Sequence, residues 1–572
     1  MSIYDKSSLV LIPSGTKTGK VFSQKPVSGD GDFTFTRASA ATRVNADGNI
    51  EKERGNVLLQ SNSFSTTWID VSTNKTSGQS GYDGSNDAWL LSKTNSSARL
   101  YQNITYSGVN TFSVYVKAGT LNWVMLNNGT NSVWYDLQNG VVGTNSAGGG
   151  SLDASIESVG SGWYRVILVS SVSASLIRIY PAKGDNDVSG TSGNIYIQDA
   201  QLEQGLVARD VITTTTAAVY GGITDNTPRL DYTDSSCPAL LLEPQRTNLV
   251  TQSEYLSSWT QNNISVTDND SISPEGLQNA SALVGNGSSS YHWIQRDSGS
   301  GTSGTTYTAS FFAKKGSVNF VQLVLDSSVF GIMHQNFDLE NGTIGSGSGS
   351  TTPFIEDYGN GWYRVGVTAT ATATATIKPL IALANSSAMG RFGSFATSGN
   401  IKVFGVQVEA GSYATSYIPT YGSSVSRVRE AIDSVDLQAN GVTNNATGWT
   451  YIVKGTFNGN GAAGNNILVQ RDEGGFFYRY GSSFGFSGAT KGYWTEFNPN
   501  GGFAYIWDGT QLRVRRGGSD IRTISAADIG WSAGGTSNWT INYLNITRIS
   551  FELENAFIFN QALTNEEIDS LV

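Results

Sequence analysis

One cysteine, Cys237, and two histidines, His292 and His334, are all that 572 residues hold of the side chains that most often bind transition metals. A single cysteine excludes an internal disulfide and a thiolate metal cage. Two histidines leave little material for a His-rich metal site or a Ser-His-Asp triad. Charge is scarce as well: Asp, Glu, Lys and Arg make up 14% of the chain, against about 25% in ordinary globular proteins. The net charge is -10, and no cluster of Lys and Arg overrides it locally, which sets the chain against phosphate backbones. No apolar run approaches the ~20 residues a bilayer requires, so membrane insertion is not expected. Residues 1–20 are polar apart from Leu9–Ile12, so no secretory leader is expected either. No Gly-x-Ser-x-Gly elbow, phosphate loop or His-Glu-x-x-His motif is present.

What fills the chain instead is Gly, Ser, Thr and Asn, with 13 Trp, 25 Tyr and 24 Phe. Helical surfaces are usually dressed with Glu, Lys and Arg, so this composition predicts strands and turns. The aromatics suffice for several cores, and the length suggests about four domains.

The middle of the chain is duplicated. Gly162-Trp163-Tyr164-Arg165-Val166 returns as Gly361-Trp362-Tyr363-Arg364-Val365. Trp68 answers to Trp259, Asp136-Leu137 to Asp338-Leu339, and Gln201-Leu202-Glu203 to Gln407-Val408-Glu409. The offset drifts by a few residues per loop, as expected when strands keep step and loops change length. Period-two runs such as Phe112 to Lys117, and the Thr/Ala alternation from Thr368 to Thr376, predict strands. Asp47-Gly48 and Asp508-Gly509 mark hairpins. Thr564, with Glu567 three residues on, predicts a capped terminal helix.

The expected fold class is all-β: multidomain, antiparallel β-sandwiches, two of them repeats and the third different. The expected division is 1–55, an N-terminal segment and hairpin; 56–215, the first repeat; 216–246, a Pro-containing connector; 247–428, the second repeat; and 429–572, a terminal sandwich. Residues 1 to about 28 read either as an anchor that folds only against a partner or as an ordinary flexible terminus. Ala239–Leu242 reads as the apolar patch that docks the connector onto a neighbour.

Three stretches carry a resemblance. Thr36-Arg37-Ala38-Ser39-Ala40-Ala41-Thr42, Leu242-Glu243-Pro244-Gln245-Arg246-Thr247-Asn248-Leu249 and Ala414-Thr415-Ser416-Tyr417-Ile418-Pro419-Thr420 resemble segments of bacteriophage virion fibre and tail proteins. Those proteins carry jelly rolls like carbohydrate-binding modules. The first repeat departs from the pattern, because its hairpin runs into Asn56 with no Pro-rich segment. The terminal region resembles a laminin-G or concanavalin-like sandwich. The resemblance implies a homotrimeric tail fibre, spike or head fibre on the virion surface, made in the host cytoplasm and released by lysis. It implies contacts with other virion proteins through the N-terminal segment and with host surface glycan, without catalysis. No cofactor is expected, although related jelly rolls often carry a structural calcium.

Residues kept in both repeats are expected to be structural: Trp68, Trp259, Trp163, Trp362, Arg165 and Arg364. Aromatics that differ between the repeats are the better candidates for glycan binding. These are Trp89 (opposite Ser281), Trp134 (opposite Asn336), and Trp293 (near the counterpart of Leu100) with its neighbours Tyr291 and His292. An indole offers a flat apolar face to a pyranose while polar neighbours bond the hydroxyls. The pairs Asp30/Asp32, Asp83/Asp87, Asp185/Asp187 and Asp268/Asp270 read as turn residues first and as calcium ligands second. No catalytic residue is expected, but Asp338/Glu340 keeps open the two-carboxylate chemistry of a capsule-degrading glycosidase.

Overall fold

The alternating runs become strands in a computed structural model that describes residues 2–146, 151–325, 327–432, 435–436, 448–458, 466–471, 476–480, 483–487, 492–494, 501–525, 539–541 and 550–571. Each repeat is a sandwich of two six-stranded antiparallel sheets. In the first repeat one sheet runs Ser151–Gly160, Trp163–Ser170, Asn110–Ala118, Asn194–Gln204, Ala88–Lys93, Thr73–Gln79. The other, called here the face sheet, runs Val141–Ser146, Ser132–Asp136, Trp123–Asn127, Ala174–Ala182, Arg99–Tyr106, Ile69–Val71. The second repeat reproduces both orders. Its face sheet runs Thr343–Ser348, Met333–Asp338, Phe320–Leu325, Leu380–Ala384, Trp293–Gln295, Thr260–Asn262. Inner faces supply the cores, for example Phe112, Val114, Leu126 and Ile179 in the first repeat. Phe311, Val321, Leu323 and Ile381 do so in the second.

The repeated landmarks hold this scaffold. Trp68, Trp259, Trp163 and Trp362 are all buried. Ser161 and Gly162 have φ of 51° and 77°, and Asn360 and Gly361 have 51° and 76°. Each Gly-Trp motif therefore begins just after a left-handed turn. Asn56 and Asn248 are fully buried at equivalent places. The Asn248 amide donates to the Val406 and Ile418 carbonyls, and its oxygen accepts from the Val250 and Val408 amides. Asn56 makes the matching four bonds, to Ala200, Ile212, Leu58 and Leu202. Gln201 donates to Glu203, and Gln407 to Glu409, at 2.6 and 2.7 Å. Each Gln-x-Glu motif thus helps to latch the tail of its own repeat.

One strand reading changes in detail. The Thr/Ala run is not one strand: Trp362–Thr370 ends, the chain turns, and Ala375–Ile377 follows. The turn is fixed where Thr372 bonds the Val329 carbonyl through both its amide and its hydroxyl. The hairpins at Asp47-Gly48 and Asp508-Gly509 form as expected. The helix Asn565–Asp569 carries the Thr564/Glu567 capping box.

The terminal sheet gathers distant segments. Its order is Arg229–Asp231, Ala239–Leu242, Ser550–Phe559, Trp449–Asn458, Gly501–Trp507, Gln511–Arg516, Ser519–Ser525, and Leu9–Leu11 also pairs with Ser550–Phe559. Residues read as a connector thus contribute two strands, and Leu9, Val10 and Leu11 of the N-terminal apolar patch are buried within their own chain. Apolar runs of three or four residues bury well on a sheet but sit badly in a free linker.

A buried knot of charge joins these parts. Arg229 pairs with Glu430 and, at 2.7 Å, with Glu243. Arg37 reaches Glu430 at 3.0 Å and Arg427 reaches Glu243 at 2.8 Å. All five side chains are buried. The three stretches singled out in the sequence meet here: Arg37 and Thr42 from the first, Glu243 and Pro244 from the second, Ser416 from the third. Those residues form a joint between modules.

Candidate functional site

Strand alternation puts every second side chain of a face sheet outward. In the first repeat the outward set is aromatic and basic. Met125 lies opposite Trp134 on one side and Tyr180 on the other, and Arg99 stacks on Tyr180 at 5.8 Å. One row over, Tyr101 lies opposite Arg178, Arg178 opposite Asn127, and Asn127 opposite Ser132. Trp123, half-buried, lies in the neighbouring outward row, opposite Asp136 and Ala182, and packs with Met125, Trp134, Tyr180 and Ala182. Strand spacing makes the row from Arg99 to Trp134 about 14 Å long.

Several donors on this face have no partner. The Trp134 indole N–H is buried and unbonded, and so are the Nε atoms of Arg99 and Arg178. Trp134 is only 7% exposed, so it forms the floor of the face. Trp123 and Tyr101, more open, supply ring surface. Neither was singled out from the sequence, yet the signal was there: Trp123 stands two residues before Met125, on the same face of one strand.

The second repeat treats the same surface differently. Asn336 stands where Trp134 does, and donates to the Met389 carbonyl at 2.6 Å. Gln322 donates to the Gly390 carbonyl and accepts from the Phe392 amide. These bonds bind the segment after Ala384 down over the face, with Phe392 packed beside Trp293, Val324 and Leu380. Pairing of Trp293 with Ala382 places it at the counterpart of Arg99 and not of Leu100. That one-residue shift moves Trp293 from an inward to an outward position.

The sequence candidates therefore separate. Trp134 and Trp293 lie on equivalent outward faces of different repeats. Tyr291 is exposed, its ring 6.2 Å from Phe392. His292 is buried, with Nδ1 2.6 Å from the Asn263 carbonyl and Nε2 3.0 Å from that of Phe395, so it clips loops together. Trp89 belongs to the other sheet of the first repeat, packs edge-on to Phe64, and donates to the Asn62 carbonyl. The acidic pairs serve turns and local bonds: Asp32 with Lys20 and Ser23, Asp87 with Gln198, Asp185 with Thr144, and Asp268 with Ser257 and Ser281. Asp338 bonds the Glu340 and Asn341 amides in a turn. Among the described residues no cluster of three or more His, Cys, Asp and Glu is arranged to hold a metal.

A cavity of about 520 Å³ opens at the junction of hairpin, connector, second repeat and terminal sheet. Its lining includes Asp231, Asp234, Glu356, Asp357, Arg364 and Glu552. Burial, then the charges of Asp234 and Asp231, push the Glu552 carboxyl up to about 8 from 4.5. The native state therefore keeps a proton that the unfolded chain has released. The stability from this group is full below about pH 4.5 and is lost as pH rises through about 8. Glu552→Gln is expected to lessen the fall in urea midpoint between pH 5 and pH 9. An equal fall in variant and parent would refute the assignment.

No known family profile matches the chain, and no curated protein matches it. Among solved structures, the N-terminal CBM22-1–CBM22-2 tandem domain from Paenibacillus barcinonensis Xyn10C aligns over 60% of this chain and 94% of its own length. The sequence identity is 10% and the TM-score 0.18.

Proposed function

We propose that this chain is a non-catalytic glycan-binding protein of a bacteriophage surface, with its binding site on the outward face sheet of the first repeat. One observation carries the binding site: half-buried rings of Trp123 and Tyr101 lie beside unbonded donors of Trp134, Arg99 and Arg178. Rings pack on the C–H faces of sugars and the donors bond their oxygens. The three fibre-like stretches support the virion setting. A trimer would multiply weak sites into useful avidity.

Trp123→Ala is expected to weaken glycan binding about tenfold, in a protein that still unfolds cooperatively. Titration calorimetry against host surface polysaccharide measures the first and scanning calorimetry the second. Binding equal to the parent would remove the site from this face. Immunogold on intact particles separates the settings: gold on tail fibres fits adsorption, gold on the capsid fits a head fibre with a structural role.

The junction cavity favours one rival, a capsule-degrading glycosidase, because it gathers carboxyl groups in a concave space. Release of reducing ends from host polysaccharide, abolished by Glu552→Gln, would establish that reading.

A further inference from the structure

Resting on that glycan-binding reading, we infer that the face of the first repeat selects anionic glycans, through the carboxylate groups of uronic-acid-type sugars. The observation is the use each arginine makes of its nitrogens. Arg99 donates from Nη1 to the Ser97 carbonyl at 3.2 Å, and Arg178 from Nη1 to Asn127 Oδ1 at 3.0 Å. In both, Nε is buried without a hydrogen bond, which leaves the Nε–Nη2 edge unfilled by the protein. That edge is the planar fork that takes a carboxylate with two parallel bonds.

Neither arginine has an acidic partner among the described residues, in a chain whose net charge is -10. Arg37, Arg43, Arg209, Arg229, Arg246, Arg427, Arg513 and Arg515 all lie within 4.0 Å of a carboxylate. Arg99 and Arg178 are instead held by rings and neutral oxygens. Arg99 stands 6.0 Å from Tyr101 and 5.8 Å from Tyr180, and Arg178 is placed between Tyr101 and Asn127 on the two flanking strands. Rings keep a guanidinium in place without neutralising it. The result is a local positive site on an acidic protein, flanked by sugar-sized apolar surface.

The second repeat supplies an internal comparison. Pairing puts Trp293 at the position of Arg99 and Leu380 at that of Arg178. The same scaffold without the two charges is covered by its own loop through Asn336 and Gln322. That loop carries an arginine of its own, Arg391, stacked 4.4 Å over Phe392.

The test uses the full chain against polygalacturonate, alginate, polysialic acid, dextran sulfate and neutral dextran, by titration at low and moderate salt. At least one carboxylated polymer is expected to bind more tightly than neutral dextran, and to weaken as salt rises. Arg99→Gln and Arg178→Gln are each expected to cost about tenfold in that affinity, and the double variant more. Unfolding midpoints verify that the variants remain folded. Equal affinity for neutral and anionic polymers overturns the inference while leaving glycan binding intact. So does full binding by the double variant. Binding of dextran sulfate alone also overturns it, because sulfate and not carboxylate is then the ligand. No binding to any glycan overturns both readings.

Discussion

Arg229→Ala is expected to cost at least about 3–5 kcal/mol of stability, the range for removing one member of a buried ion pair. Here a single truncation takes one of two arginine partners from each of Glu243 and Glu430, and also frees the Thr42 carbonyl and Ser416 hydroxyl from their shared donor. Arg37 and Arg427 remain, each reaching one of the two acids, so collapse of the joint is resisted but not prevented. Urea unfolding followed by Trp fluorescence measures the loss, and a change below about 1 kcal/mol would show the knot to be dispensable. The pH dependence gives a second readout. Burial would raise the Glu243 carboxyl, but Arg427, Arg229 and Ser416 together hold it well below the ordinary 4.5. A lowered folded value adds stability above the unfolded pKa, which is lost as pH falls toward the folded one. The parent should therefore weaken on acidification below about pH 4.5, and Arg229→Ala should weaken less steeply.

Asn248→Ala is the second large effect, on the order of 4 kcal/mol. It leaves two carbonyls and two amides of the second repeat without their partner, and each buried unsatisfied group costs about 1–3 kcal/mol before relaxation. Asn56→Ala should do the same to the first repeat. Calorimetry resolved into its component transitions should show each substitution lowering a different one. If both lower the same transition, the two sandwiches unfold as one unit. If neither lowers any, the bonds contribute little.

Particular residues show why some of this was legible in the sequence. The Gly-Trp-Tyr-Arg-Val pair announced a duplicated sandwich because strand-end turns and core aromatics are local demands that each copy meets the same way. Thr564 and Glu567 announced a helix start because a capping box spans only three residues. Leu9–Leu11 and Ala239–Leu242 were legible as apolar but not as partners, since their pairing to Ser550–Phe559 is set by contacts across hundreds of residues. The binding face was half legible. Comparing repeats isolated Trp134 and Trp293, but a one-residue error in register hid the match of Trp293 to Arg99. Trp89 differs between repeats too, yet packs on Phe64, because a change between copies marks altered packing as readily as altered function. Arg99 and Arg178 carried no motif, and only cross-strand registry brings them together.

The pairing of Leu9–Leu11 with Ser550–Phe559 bears on how the chain is made. Both sandwich repeats draw their strands from contiguous stretches and can close while the ribosome is still working. The first strand cannot: its partner is translated more than five hundred residues later, roughly half a minute to two minutes at ordinary synthesis rates. Over that interval Leu9, Val10 and Leu11 have no sheet to join, and Ala239–Leu242, once made, has only Arg229–Asp231 beside it. The nascent protein thus carries two sticky apolar edges until its closing strand emerges, and a chain released early keeps them.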